Sequence, residues 1–265
     1  LPSGLALGVS YVQNRRLLEA QLTRDLVSRS TQSAGGVAVW LKERLYDLRI
    51  FAGSDEVANQ LALAGDAVAG SPTRGRLHDY LLSLHERVAD FEQLMVLDTR
   101  GRVLATSLTS ATRVELPGEW LRTLRTESRV IGPPRRAKGG KTTLLVAVPV
   151  RRADGRVIGA LAGELSLAQV REVLRSHGRV GGAKGSLWLL DTTGVPVART
   201  DSATSLARAA LPRPTLERLV RREGEAVQYA SLAGHDVVGS LERVPGAGWV
   251  VLAETPADAA FPQAR

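Results

Sequence analysis

Val96-Leu97-Asp98-Thr99-Arg100-Gly101 and Leu189-Leu190-Asp191-Thr192-Thr193-Gly194 are two copies of one pattern, set 93 residues apart. In each, large apolar residues run into Asp-Thr and then reach a glycine. That is the order of a strand entering a tight turn where positive φ is useful. Ala105 and Ala198 fall in the same register. Outward from the first copy, Glu92–Asp98 and Arg102–Ser107 read as strands, and Leu116–Thr126 as a helix with Pro117 in its first turn. Ser128–Ile131 reads as a short strand and Gly132–Gly140 as a basic, Gly/Pro-bearing loop. Thr142–Arg151 and Arg156–Leu165 make a hairpin through Arg152-Ala153-Asp154-Gly155. Ser166–Ser176 is a helix, followed by a Gly-rich joint over Gly178–Gly185. The second copy continues with a helix near Pro214–Arg222 and strands at Ala226–Leu232, Val237–Arg243 and Trp249–Glu254. Strand, turn, strand, helix, then three antiparallel strands predicts an α+β unit whose helices lie on one face of the sheet, built twice.

Ahead of the repeat the period is helical. Leu18, Leu22, Leu26, Val37, Leu41, Leu45 and Leu48 recur at threes, fours and sevens, which predicts a long helix over Tyr11–Phe51. Gly35-Gly36 interrupts it and is a place for a kink. Shorter helices are expected at Asp55–Ala69 and Arg74–Ala89, on either side of Gly70-Ser71-Pro72. A helix of about forty residues needs a long partner surface, which favours an extended molecule or a dimer seam. The expected divisions are 1–90 for the stalk helix with its two short helices, 91–177 for the first module with its linking helix, and 178–265 for the second.

Composition removes several functions. No cysteine is present, which excludes disulfide scaffolds, thiolate metal sites and cysteine nucleophiles. The four histidines, His78, His85, His177 and His235, include no pair at ligand spacing. A net charge of +8 raises nucleic-acid binding, but only four of the 35 basic residues are lysines, and the arginines are dispersed. Aromatics make up 4% and do not interleave with a basic run, as stacking on bases requires, so no nucleic-acid partner is expected. Gly139-Gly140-Lys141-Thr142 is not the end of a phosphate loop, because Arg135 stands where the first glycine belongs and a strand pattern follows. Asp98 and Asp191 fit turn chemistry rather than paired acid–base work. With no nucleophile–base constellation, neither an enzyme nor a cofactor is expected. The chain starts at Leu1, reading as a fragment or processed product, and its uncharged stretch Leu1–Val12 is shorter than the ~20 residues of a membrane span.

The two Leu-Asp-Thr-x-x-Gly turns and the run TTLLVAVPVRRADGRVIGALAGELSL (Thr142–Leu167), preceded by a long helix, resemble the double Cache (PAS-like) sensor domains of bacterial transmembrane receptors. The resemblance extends from Leu18 to about Glu254 and rests on the order and spacing of these motifs. It implies an extracytoplasmic (periplasmic) domain anchored by flanking membrane helices outside this chain. It also implies a small-molecule ligand in the membrane-distal module and transmission through the long helix. A two-component sensor histidine kinase is the first expectation. A chemoreceptor or diguanylate cyclase ectodomain, or a dimerising ectodomain that binds no ligand, are its alternatives.

Five residues are named as ligand-binding candidates: Trp120, Arg122, Arg135, Lys141 and Glu164. Trp120 matches the Trp of amino-acid-binding relatives, but Gly118 and Leu121 replace the Arg and Tyr of their carboxylate clamp, which counts against a free amino acid as the ligand. Trp120 either faces a ligand or packs its helix onto the sheet. Glu164 sits where the family often has an Asp that holds an amine. Alternation puts it on the face of Ala160 and Ala162, as a pocket residue or as the salt-bridge partner of an Arg. Arg135, Arg136, Lys138 and Lys141 form the densest basic cluster, which either receives an anionic ligand through guanidinium forks or is a solvated loop.

Overall fold

The computed structural model describes residues 3–64, 72–108, 116, 118–136, 141–178, 185–200 and 210–260. Three helices open the chain: α1 (Ser3–Ala52), α2 (Asp55–Ala64) and α3 (Pro72–Arg87). The first repeat contains β1 (Phe91–Asp98), β2 (Val103–Thr106), α4 (Trp120–Glu127), β3 (Val130–Arg136), β4 (Thr142–Arg151) and β5 (Val157–Ser166). After α5 (Ala168–Gly178), the second contains β6 (Ser186–Asp191), β7 (Pro196–Arg199), α6 (Arg213–Arg221), β8 (Ala226–Ala230), β9 (Asp236–Val244) and β10 (Trp249–Pro256). A short α7 (Ala257–Ala260) follows. Residues 65–69 of the second expected helix, 179–184 of the expected Gly-rich joint, and Lys138 lie outside the described residues.

Both repeats make five-stranded antiparallel sheets of one topology, β2-β1-β5-β4-β3 and β7-β6-β10-β9-β8. The duplicated turns explain the duplicated sequence. Asp98 Oδ1 accepts the backbone N–H groups of Arg100 and Arg102, both at 2.9 Å. Asp191 Oδ1 accepts those of Thr193 and Val195, at 2.8 and 2.9 Å. Gly101 and Gly194 close the turns at φ 79° and 84°, where a Cβ is disfavoured. Both aspartates therefore organise turns.

The chain divides into two units, residues 1–39 with 170–265, and residues 40–169. In the second of these, Met95, Leu97, Leu124, Leu145, Ala147, Ala160 and Ala162 form the core under α4. On the opposite sheet face Gly159 meets the Leu61 side chain of α2, and Phe91 lies against Gly163. In the first unit, α6 packs Leu216 and Leu219 against Trp188, Leu190, Leu241 and Leu252. α1 takes the other face, with Ser30 Oγ 3.3 Å from Ser240 Oγ. Helices thus cover both faces of each sheet, not one. The strands record this as near-continuous apolar runs: in β1 only Glu92 is not buried.

α4 begins at Trp120 rather than at Leu116, and two further expectations also change. β3 runs on to Arg136 through Gly132-Pro133-Pro134, which had read as loop. It can do so because it is an edge strand and shifts register between Ile131 and Pro134. α1 is helical throughout Gly35-Gly36. Gly36 serves close packing instead, since a Cβ there would lie 2.9 Å from Val173 Cγ1 of α5.

Candidate functional site

Register places the site residues. Gln93, Glu164 and Leu145 stand side by side on β1, β5 and β4, and Leu145 belongs to the core under α4. Paired residues share a sheet face, so Glu164 points to the α4 side with Ala160 and Ala162. One pair further along, Arg135 of β3 opposes Thr143 of β4 and brings a guanidinium to the same face.

Glu164 is half-buried, and the loss of water raises its carboxyl above the ordinary carboxylate range. The Arg135 charge opposes that rise, Glu92 adds to it, and a hydrogen bond from Gln93 opposes it. Lys141 binds Glu92 through Nζ, at 3.0 and 3.1 Å from its two carboxylate oxygens. The fold therefore assembles Glu164, Arg135 and Gln93, with the Lys141–Glu92 pair alongside.

The other two candidates make their contacts elsewhere. Trp120, at the start of α4, packs against the core beside the β1–β2 turn, its indole 3.6 Å from where a Cβ on Gly101 would stand. Arg122 is exposed and pairs with Glu119, the residue just ahead of α4. Among the described residues no three His, Asp or Glu side chains converge as a metal site.

The second sheet contains an equivalent carboxylate that the sequence reading passed over. Glu254 opposes Ser186 on β6 and Gly239 on β9, as Glu164 opposes Gln93 and Leu145. By the same ladders Trp188 corresponds to Met95, Arg199 to Thr106 and Tyr229 to Arg135. Glu254 is only 4% exposed. Its carboxylate accepts the Tyr229 hydroxyl at 2.6 Å and the Trp188 indole N–H at 2.7 Å. Arg199 stacks over Trp188, 4.3 Å from the ring centroid. Gly239 makes room for this, because a Cβ there would meet the Tyr229 hydroxyl at 2.7 Å. Burial raises the Glu254 carboxyl even though Tyr229, Trp188, Arg199 and Ser186 all favour its charged form. The same burial and the neighbouring Glu254 charge push the Tyr229 phenol well above its usual range, which keeps it a neutral donor. The signal in the sequence was an acidic residue inside an apolar closing strand in both copies, in ALAGELS and in VVLAETP.

The family model for the Cache domain, in its double (dCache) form, matches residues 13–264. The chain belongs to the Cache family. Solved Cache structures share its fold at low identity. The ligand-binding domain of the Campylobacter jejuni chemoreceptor Tlp3, in complex with L-norvaline, superposes with a TM-score of 0.67 at 14% identity, covering 94% of this chain and 96% of that one. The ligand-binding domain of the Pseudomonas aeruginosa PAO1 amino acid chemoreceptor PctB, with L-Gln, gives 0.60 at 18% identity, covering 91% and 93%. That of PctC, with GABA, gives 0.56 at 18%, covering 85% and 96%. No curated protein sequence matches the chain. Cache domains are extracytoplasmic sensors that bind ligands and do not catalyse, and this chain is a sensor domain of that kind. No helix among its described residues is long and apolar enough to cross a membrane.

Proposed function

We propose that this Cache domain is the input of a membrane-anchored signalling receptor and takes a small molecule on the α4 face of its first sheet. The observation that carries the proposal is the difference between two equivalent carboxylates. Glu254 is sealed by the chain's own Trp188, Tyr229 and Ser186, whereas Glu164 keeps exposed surface and has the guanidinium of Arg135 nearby. A buried carboxylate needs donors, and an incompletely enclosed one can take them from a ligand. Glu164 would hold an ammonium or similar cationic group. Arg135, seconded by Lys141, would receive an anionic one. A zwitterion meets both demands, and the amino acids and GABA bound by the neighbouring chemoreceptor domains are of that class. Trp120 and Arg122, which stand at the β1–β2 turn end of the sheet, take no part in this site.

Signalling follows from differential affinity. A ligand that prefers one arrangement of the first module moves the equilibrium by its coupling energy, about 1–3 kcal/mol in typical systems. α1 contributes residues to both units, and this supports the long helix as the transmitting element. A sensor histidine kinase and a chemoreceptor would use this input alike. Flanking membrane helices and a homodimer complete the proposal.

Titration calorimetry with a panel of amino acids, GABA, simple amines and simple carboxylates tests it. Glu164→Gln should abolish binding of amine-bearing ligands, and Arg135→Ala should weaken the carboxylate-bearing ones, while Glu254→Gln leaves binding intact. A wild-type domain that binds no member of the panel, or a Glu164→Gln variant that binds as wild type, overturns the reading.

A further inference from the structure

The two copies of the fold differ sharply in charge at one end of the sheet. In the first copy the β1–β2 turn contains Arg100 and Arg102, and the end of β4 with the β4–β5 turn contains Arg151, Arg152 and Arg156. The junction from α4 to β3 adds Arg125 and Arg129. These three segments bring seven arginines and, beyond the turn-forming Asp98, only the carboxylates of Glu127 and Asp154. The corresponding segments of the second copy are Thr192–Val195, Arg221–Glu225 and Val244–Trp249, and they hold two arginines and two glutamates. Dispersed arginine-rich composition would load both copies alike. The charge is therefore a property of this end of this module.

The geometry gathers those arginines. Asp98 pairs with Gly159 and Arg151 with Val157, which sets the two turns at the same end of neighbouring strands. Arg151 Nη2 reaches Ser128 Oγ at 3.4 Å, which joins the hairpin to the α4–β3 junction beside Arg129. Arg151 spends its other nitrogen on the Gly155 carbonyl, and Arg102 pairs with Asp98. Arg100, Arg125, Arg129, Arg152 and Arg156 form no ion pair with any described residue, and all but the partly buried Arg129 are exposed. The β4–β5 turn does not use the Arg152 and Arg156 side chains, since its hydrogen bonds run between backbone atoms, Asp154 and the Arg151 guanidinium. In the second copy, by contrast, Arg222 pairs with Glu225 and Arg243 with Glu223.

We propose that this end of the first module is a docking surface for a linear phosphate-bearing polymer. From the β1–β2 turn to the start of β3 the patch crosses three interstrand gaps, about 14 Å at ~4.8 Å each. That is too wide for one compact anion and suits a chain with repeated charges. Guanidinium forks grip phosphate oxygens bidentately, so the arginines match the charge and the geometry of each unit. The surface is separate from the Glu164 site, which lies toward the opposite end of the same strands, so the two proposals stand or fall independently.

Fluorescence anisotropy with labelled inorganic polyphosphate over a salt series tests the surface. The wild-type domain should bind, with a log–log salt slope that falls by about one for each contacting arginine removed. The variant Arg152→Ala/Arg156→Ala should bind about tenfold more weakly at low salt, with circular dichroism unchanged. Arg221→Ala/Arg222→Ala in the second module should bind as wild type. The surface is overturned by absence of binding at 50 mM salt or less, a condition in which phosphate contacts of this number are strong. Equal loss in both double variants overturns it too. Equal or tighter binding of polygalacturonate, or of vesicles containing phosphatidylglycerol, overturns the choice of a phosphate polymer.

Discussion

Glu164 and Glu254 hold the same position in two sheets of one topology, yet one is enclosed by its own chain and the other is not. Gln93 and Ser186 face them from the first strand of each sheet, and the third neighbour is Arg135 in one case and Tyr229 in the other. Replacing Met95 by Trp188 and Thr106 by Arg199 fills the second site with a stacked indole and guanidinium. The duplication thus supplies its own internal control: any effect peculiar to Glu164 should be absent at Glu254, and the reverse.

The first consequence concerns stability without ligand. Removing the Tyr229 hydroxyl leaves a buried carboxylate short of a donor, so Tyr229→Phe should cost about 1.5–3 kcal/mol in urea unfolding. Gly239→Ala forces its new methyl onto the same hydroxyl and onto the Ala253 carbonyl, 2.8 Å away, and should cost a comparable amount. Glu164→Gln replaces a carboxylate that burial already disfavours, and should leave the unliganded domain as stable as wild type or slightly more so. A Tyr229→Phe variant as stable as wild type would show that Glu254 is satisfied without it.

The pH profile has a definite sign. Glu164, Glu242 and Glu254 all titrate above the ordinary carboxylate value, burial being the largest cause in each, with Glu223 adding to the rise at Glu242. Between the unfolded value of 4.5 and these raised folded values the native state binds more protons than the unfolded chain. Their contribution is therefore complete below the unfolded value and is lost as pH rises through the folded ones. Asp98 runs the other way. Burial raises it, but the Arg102 and Arg100 hydrogen bonds together with the Arg102 charge outweigh burial and leave it below 3.8, so its contribution disappears only in stronger acid. Melting temperature should decline from mildly acid to neutral pH, and Glu254→Gln should flatten that decline. A decline unchanged in the variant would assign it to other groups.

Ligand affinity should depend on pH in the opposite sense. Glu164 must be ionised to hold a cation, and its raised pKa means that affinity falls as pH drops, beginning above the ordinary carboxylate range. Calorimetry between pH 7 and pH 5 should record weaker binding at the acid end for amine-bearing ligands, and the same trend in Glu254→Gln as in wild type.

How far the residues foretold this molecule depended on which constraint was local. The duplicated turns were legible because Asp98 and Gly101 act within five residues, and alternation correctly put Glu164 with Ala160 and Ala162. The extension of β3 was not legible, since Pro133-Pro134 reads as loop until the partner strand and the register shift are known. Nor was the covering of both sheet faces, because an apolar strand does not say which distant helix will lie on it. Glu254 escaped notice because the copies are offset by 93 residues at β1 and β6 but by 90 at β5 and β10, so one fixed offset misses the second acid.

Neighbouring glycines in α1 allow one more discrimination between local propensity and packing. A Cβ on Gly35 would meet no atom within 4 Å, so Gly35→Ala should stabilise the domain by roughly 0.5–1 kcal/mol through helix propensity alone. At Gly36 the same methyl would lie 2.9 Å from Val173 Cγ1 and 3.2 Å from His177 Cε1. Neither neighbour yields easily: Val173 is β-branched with a stiff χ1, and the His177 ring is tied by Nδ1 to the Val173 carbonyl at 2.8 Å. Overpacking of this kind costs about 1–3 kcal/mol, more than the propensity gain, so Gly36→Ala should lower the urea midpoint where Gly35→Ala raises it. If both variants were stabilised equally, the contact between α1 and α5 would be too loose to require the glycine, and the break in the helical pattern at Gly36 would have no packing cause.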